Sequence, residues 1–153
     1  MMQIIQRIKG AIHGAFCNGW SVDKLTLSVC IGVYIAFSPF PVFHTAMMLS
    51  AKWFFGLNFP ILFVATSINN PWTMIPFYYF DYAFGYWLIH NFLGFSPSFT
   101  ISLAKIFGSG TICIWSFLVG GNILGITVAL LLYFPTKFFF NKLFKNLKSG
   151  GTF

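Results

Sequence analysis

Charge is what this chain has least of. Nine Lys and Arg and two acids make up 7% of its 153 residues, against about 25% in a soluble domain. So few charges cannot cover a water-facing surface on a chain of this size. The two acids, Asp23 and Asp81, lie far apart in sequence, so they form no carboxylate pair for acid–base chemistry. GxSxG, HExxH, phosphate-loop and GxGxxG patterns are also missing, and the sequence predicts no enzyme. Cys17, Cys30 and Cys113 are odd in number and widely spaced, and His13, His44 and His90 show no ligand spacing. No metal site and no cofactor is expected from them.

What is abundant is apolar. The chain is 58% hydrophobic and 22% aromatic, with a mean hydropathy of +0.80. Lipid is the natural solvent for such a surface, and the fold class expected is an all-α membrane protein. The net charge of +7 is distributed accordingly. Arg7, Lys9 and Lys24 lie near the start, Lys137, Lys142, Lys145 and Lys148 near the end, and only Lys52 and Lys105 between them. Nucleic-acid binding would need a basic patch with stacking aromatics on a soluble fold, so no nucleic-acid partner is expected. Charges that flank an apolar body set membrane orientation instead. The expectation is a multi-pass protein of the cell membrane with both termini and Lys52 on the cytoplasmic side and Ser96–Ser98 opposite. No small-residue cleavage site follows the first long apolar run, so no cleavable signal peptide is expected.

A single membrane domain over 1–153 divides into three parts. Residues 1–20 read as an interfacial amphipathic helix, with Ile4, Ile5, Ile8, Ile12 and Phe16 on one face. Residues 21–134 form the membrane-embedded core. Ser21 is a good N-cap with Asp23 in the first turn. An apolar helix is predicted from about Leu25 to Phe37, broken by Ser38-Pro39-Phe40-Pro41, because proline removes donors and disfavours helix before it. A second runs from about Thr45 to Phe55 and ends at Gly56 and Asn58-Phe59-Pro60. Each arm is shorter than the roughly 20 residues a span needs. Two readings fit, a re-entrant hairpin over 22–56 or two compressed spans. Pro60 to Asn69 is a third short helix, broken at Asn69-Asn70-Pro71, and Trp72 to Leu93 a longer one. Ser98 or Thr100 is placed to cap a short helix over 101–107. Gly110 to Phe134 is the cleanest transmembrane span, with Pro135 expected to end it. Residues 135–153 then make a basic amphipathic tail, with Lys137, Lys142, Lys145 and Lys148 on an anionic leaflet.

Several of these features occur in a fixed order. Ser21 to Gly32 leads into Pro39-Phe40-Pro41. Asn58-Phe59-Pro60 follows, then Asn70-Pro71, then Gly85 after Tyr78-Tyr79, then a last apolar helix with a basic tail. In this the chain resembles the bacterial family called domain of unknown function 2062, over roughly residues 15 to 145. At the turn after the prolines the family pattern has Gln where this chain has His44. The resemblance implies a small membrane domain of the bacterial inner membrane, with no assigned activity. Asp81-Tyr82-Ala83-Phe84-Gly85-Tyr86-Trp87 is also similar to an acid–aromatic–glycine stretch in DedA-type membrane proteins, which use re-entrant helices.

The breaks carry the chemistry. Free backbone groups in lipid must find partners, and transporters build substrate sites on broken helices. Asp81, His44, Asn69, Asn70 and Ser38 are the candidate substrate or coupling residues, and Pro39, Pro41, Asn58, Pro60 and Pro71 the structural breaks. The plain alternative is that the polar side chains only serve the broken backbone. For Asp81, an acid inside an apolar stretch, it is an interfacial carboxylate hydrogen-bonded to neighbouring tyrosines. Gly121-Asn122-Ile123-Leu124-Gly125 permits close helix packing, within the chain or in a dimer. Two functional classes follow: a small transporter-like or lipid-handling protein with its site at the breaks, or a non-catalytic structural or partner subunit organising envelope machinery. Membrane lipids are partners in both, and a second copy or an envelope protein is a further candidate.

Overall fold

The computed structural model describes residues 19–40, 43–70, 72–92, 94, 100–102 and 111–149. The amphipathic helix expected over 2–17, together with Pro41 and Pro71, lies outside the described residues. The architecture is helical: α1 (Val22–Phe37), α2 (His44–Phe55), α3 (Phe59–Thr66), α4 (Met74–Trp87) continued by a π-helical turn (Leu88–Phe92), and α5 (Ile114–Ser149). One feature is not helical. β1 (Thr100–Ser102) pairs antiparallel with β2 (Thr111–Cys113), Ile101 opposite Ile112. The helix expected over 101–107 is therefore corrected at its start. Thr and Ile at these positions favour a pleated strand, and residues 103–107 lie outside those described.

Local chemistry sets the helix starts. The Ser21 hydroxyl accepts from the Lys24 N–H, and the Asn58 carboxamide oxygen accepts from the Ile61 N–H with Pro60 in the first turn of α3. Gly56 closes α2 in the left-handed region (φ 58°), a conformation glycine adopts without steric cost.

α1 is the central helix, with Leu25, Cys30, Val33, Ile35 and Ala36 all buried. α2 returns alongside it: Ser38 meets Met47 at one end, and the Lys24 ammonium donates to the Phe55 carbonyl at the other. α3 then runs parallel to α1. The Asn58 N–H donates to the Ser28 hydroxyl, the Thr66 hydroxyl to the Gly32 carbonyl, and the Asn69 amide to the Ala36 carbonyl. Gly32 makes this approach close, since a methyl there would lie 2.6 Å from the Ala65 Cβ. α5 runs antiparallel to α1. Gly125 and Asn122 meet Tyr34, and Lys137 reaches Asp23 at 2.8 Å. The GxxxG glycines Gly121 and Gly125 thus pack within the chain against Tyr34, Phe37 and Pro39.

Pro135 does not end the last helix. α5 is continuous over 36 residues with Pro135 inside it, so the basic tail is the same rod and no separate element. Tertiary packing carries the helix past the missing N–H: Phe140 is buried with Leu25 and Ile61, against Trp20, Val22, Leu143 and Phe144. Phe138 and Phe139 face outward instead. Lys142 and Lys145 are exposed, and Lys148 lies on the helix with its side chain outside those described.

Among the described residues one stretch, Ile114–Asn146, is long and apolar enough to cross a membrane. Large apolar side chains line much of the outside. Trp72 is 90% exposed and Trp53 81%, with Phe54, Ile75, Phe80 and Phe134 also outward.

Candidate functional site

The basic side chains and the helix breaks lie at opposite ends of α1. Lys24, the last turn of α2 with Lys52, and Lys137 gather beside its N-terminus. Its C-terminus meets the ends of α3 and the first turns of α4. There the Phe37 ring stacks edge-on to Phe77 at 4.9 Å, and Asn69 takes the Ala36 carbonyl at 2.6 Å.

α4 buries only two side-chain positions, Asp81 and Gly85. Gly85 lies against Gly120 of α5, backbone on backbone. A methyl on Gly85 would overlap the Ser116 carbonyl oxygen, and one on Gly120 the Asp81 carbonyl oxygen. This approach sets the Asp81 carboxyl into the interior, 0% exposed. Its Oδ2 lies 3.5 Å from where a Gly121 methyl would stand, and the same point is 2.8 Å from the Phe37 carbonyl oxygen and 3.2 Å from Pro39 Cδ. The carboxyl, the free end of α1 and the Pro39 ring therefore border one spot. Neither Asp81 oxygen has a hydrogen-bond partner among the described residues. No tyrosine hydroxyl among the described residues holds the Asp81 carboxyl, because the glycine contact draws it inward. Tyr78, one turn earlier, stands beside the Asn69 amide and within electrostatic reach of Asp81, and packs edge-on to Phe117 of α5 at 5.1 Å. Among the described residues the Asn69 Oδ1 and the Tyr78 and Ser116 hydroxyls are also buried with no hydrogen bond of ordinary length, the Tyr78 hydroxyl lying beside the Asn69 amide.

The other candidates are occupied by the backbone. The His44 Nε2–H donates to the Ser38 carbonyl at 3.2 Å, and the buried Ser38 hydroxyl donates to Met47 Sδ at 3.6 Å. Both close the break between α1 and α2. Asn70 is exposed and accepts from the Trp72 and Thr73 N–H groups at 3.0 Å, shaping the turn into α4. Asn58 and Pro60 cap α3, and Pro39 is buried against Gly121. His44, Ser38 and Asn70 thus each bond groups at a break, as polar side chains in lipid are expected to. Asn69 is divided, its amide on Ala36 and its oxygen free. Among the described residues Asp81 bonds no backbone group.

A model of the family described as an uncharacterized protein conserved in bacteria, domain of unknown function 2062, matches residues 12–146. The chain belongs to that family. No curated protein and no solved structure matches it. Membership in domain of unknown function 2062 brings no residue roles with it, so the site stands on geometry.

Two of these buried hydroxyls escaped the sequence. Tyr78 was visible only as part of an ordered motif, and Ser116 as one hydroxyl in a long apolar run. The signal for Ser116 was available: a polar side chain at the head of an apolar helix, four residues before a glycine pair, marks a face that meets another helix.

Proposed function

We propose that this family member is an integral membrane protein, transporter-like or lipid-handling, whose site is the polar cluster where its broken helices meet. The observation that carries the reading is Asp81: fully buried, without a partner among the described residues, on the one buried face of α4. Burying a carboxyl in apolar surroundings is costly unless something compensates it. An intramembrane acid that serves no structural group is best placed to meet a passing solute or ion.

The membrane setting is supported by the outward aromatic side chains and by the apolar length of α5. α5 is about 54 Å long at 1.5 Å per residue, against a hydrocarbon core of about 30 Å. Gly121, beside Asp81, is seven residues past the start of α5, about 10 Å along its axis, which supports a site at membrane depth. α1 and α2, of 16 and 12 residues, are short for full spans and fit a re-entrant hairpin. Lys24, Lys52 and Lys137 at one end of α1 fit a cytoplasmic face in the inner membrane, with both termini on that side. The role is non-enzymatic, and lipids are its immediate partners.

The test is complementation of the growth defect of a deletion strain, with protein abundance measured in parallel. Asp81→Asn fails to complement at normal abundance, Asp81→Glu restores part, and Ala83→Leu, on the exposed side of α4, restores fully. Full complementation by Asp81→Asn removes the acid from the mechanism. It then favours the second reading, a structural subunit of envelope machinery. That reading has its own support, since α2 buries only Met48 and Ala51 and turns Leu49, Trp53, Phe54 and Phe55 outward.

A further inference from the structure

We propose that the oxygens gathered at the C-terminal end of α1 bind one monovalent alkali cation, with Asp81 supplying the counter-charge. The proposal deepens the transport reading and rests on it, because it names the coupling species of the same site.

The donor set is the first argument. Among the described residues the buried atoms without a partner there are all oxygens: both carboxylate oxygens of Asp81, the Asn69 Oδ1 and the Tyr78 hydroxyl. Hard cations take oxygen ligands from carboxylates, amide carbonyls and hydroxyls, whereas borderline and soft metals prefer imidazole and thiolate. The second argument is the backbone. α1 ends here, and its Phe37 carbonyl oxygen borders the same point above Gly121 as Asp81 Oδ2. The end of a broken helix presents free carbonyls and the negative pole of its dipole, a recurrent cation ligand at membrane depth. Pro39, next along and buried, has no N–H to offer those oxygens.

Charge selects the valence. Asp81 is the only acid of the cluster, and the described lysines lie elsewhere. Lys137 pairs with Asp23, Lys24 holds the Phe55 carbonyl, Lys52 lies over the Phe59 ring, and Lys142 and Lys145 are exposed on the tail. One carboxylate neutralises one positive charge, while a divalent ion would leave a buried net charge that this cluster cannot balance. The tight Gly85–Gly120 approach walls one side, so the carboxylate gains its partner from within the cluster and not from bulk water.

Purified full-length protein in detergent provides the test. Its apparent melting temperature is followed as NaCl or KCl replaces choline chloride at constant ionic strength. A ligand that binds only the folded state stabilises it in proportion to the logarithm of its concentration over Kd. The expected result is a rise of several degrees with Na+ or K+ but not with choline. Asp81→Asn abolishes the rise. Tyr78→Phe, which keeps shape and fold, weakens the apparent affinity, by about tenfold where the lost ligand contributes about 1.4 kcal/mol. Lowering the pH from 8 to 6 weakens it further, because protons compete for the same carboxylate. An equal response to alkali and choline salts at both pH values overturns the proposal and leaves the oxygens to water. Stabilisation by acid alone overturns it in favour of a proton. The transport reading fails separately: a cation response that Asp81→Asn abolishes, joined to full complementation by that variant, makes the ion structural. No cation response, joined to failed complementation, removes the ion and keeps the site.

Discussion

The chain's two acids stand in opposite circumstances. Asp23 is 68% exposed in the first turn of α1 and is held by Lys137 at 2.8 Å. Asp81 is 0% exposed near the other end of α1 and has no described partner. Energetics alone would reverse the arrangement. An exposed pair gains little over water, while a buried charge without a partner is among the costliest features a fold can hold. Asp23 can be read from helix physics, an acid near a helix N-terminus with a lysine close by. Asp81 cannot. Its position is imposed by the glycine contact between α4 and α5, which spends packing energy to keep a carboxyl among free oxygens. That a fold does this at one acid and not the other is what supports a role for Asp81 in the proposed function.

Breaking the glycine contact is the strongest way to collapse that distinction. Gly85→Leu and Gly120→Leu each drive a side chain into the backbone of the facing helix, where no rotamer avoids overlap. Both should abolish the folded species, seen as loss of the monodisperse peak in detergent size-exclusion chromatography. Ala83→Leu, two residues away on the outward face, should leave the peak intact. A folded Gly85→Leu protein would mean that α4 and α5 can part without loss, and Asp81 would no longer be fixed by them.

The helix boundaries were legible because they are local. Ser21, Asn58 and the Ser38-Pro39 break act on their own neighbours, and the predicted arms Leu25–Phe37 and Thr45–Phe55 fall inside α1 and α2. Contacts between helices were not legible. Pro135 reads as a stop, yet α5 continues because Phe140 packs on Leu25 and Ile61, residues more than seventy positions away. Thr100 reads as a cap but starts a strand paired with Cys113. In the site, polarity at the breaks singles out Asn69, and equally His44, Ser38 and Asn70, while Asp81 stands out as an acid inside an apolar stretch. Only tertiary geometry separates a side chain that closes a turn from one left without a task. Tyr78 joins the cluster through a face that no sequence period reveals.

A middle-sized effect tests the polar contacts that brace the cluster. By the sequence alone, Asn70→Leu should destabilise more than Asn122→Leu, since Asn70 sits at a break. The structure reverses that order. Asn122 accepts from the Tyr34 hydroxyl at 2.8 Å and donates to the Leu118 carbonyl, tying α1 to α5, whereas Asn70 is exposed in a turn that water can also serve. Asn122→Leu leaves the Tyr34 hydroxyl without its partner, a loss of about 1–3 kcal/mol, while Asn70→Leu costs about 0.5 kcal/mol, the low end of a net hydrogen bond. Thermal melts of both variants in one detergent decide the order. A Tyr34→Phe, Asn122→Leu double mutant then separates the pair from its surroundings. A larger drop for Asn70→Leu would restore the break as the weak point and reduce the α1–α5 bridge to a bystander.

The smallest effect is expected at the acid that looks best held. Asp23 and Lys137 form the one ion pair seen among the described side chains, both substantially exposed. An exposed pair meets high dielectric and mobile counter-ions, and it orders two side chains that water would otherwise leave free. Lys137 also lies 5.6 Å from the centre of the Tyr133 ring, so it keeps an attractive neighbour when the carboxylate is lost. The neighbouring packing of Phe140 on Leu25 and Ile61 does not depend on either charge. Asp23→Asn should therefore melt with the parent protein in detergent at both low and high salt, and it should complement a deletion strain fully. The comparison is sharpest when Asp23→Asn and Asp81→Asn are measured side by side, since each removes one negative charge by the same chemical change. A fall in melting temperature for Asp23→Asn as large as that for Asn122→Leu would show that the basic end is held electrostatically. In that case the contrast between the two acids would lie in their depth alone and would say nothing about function.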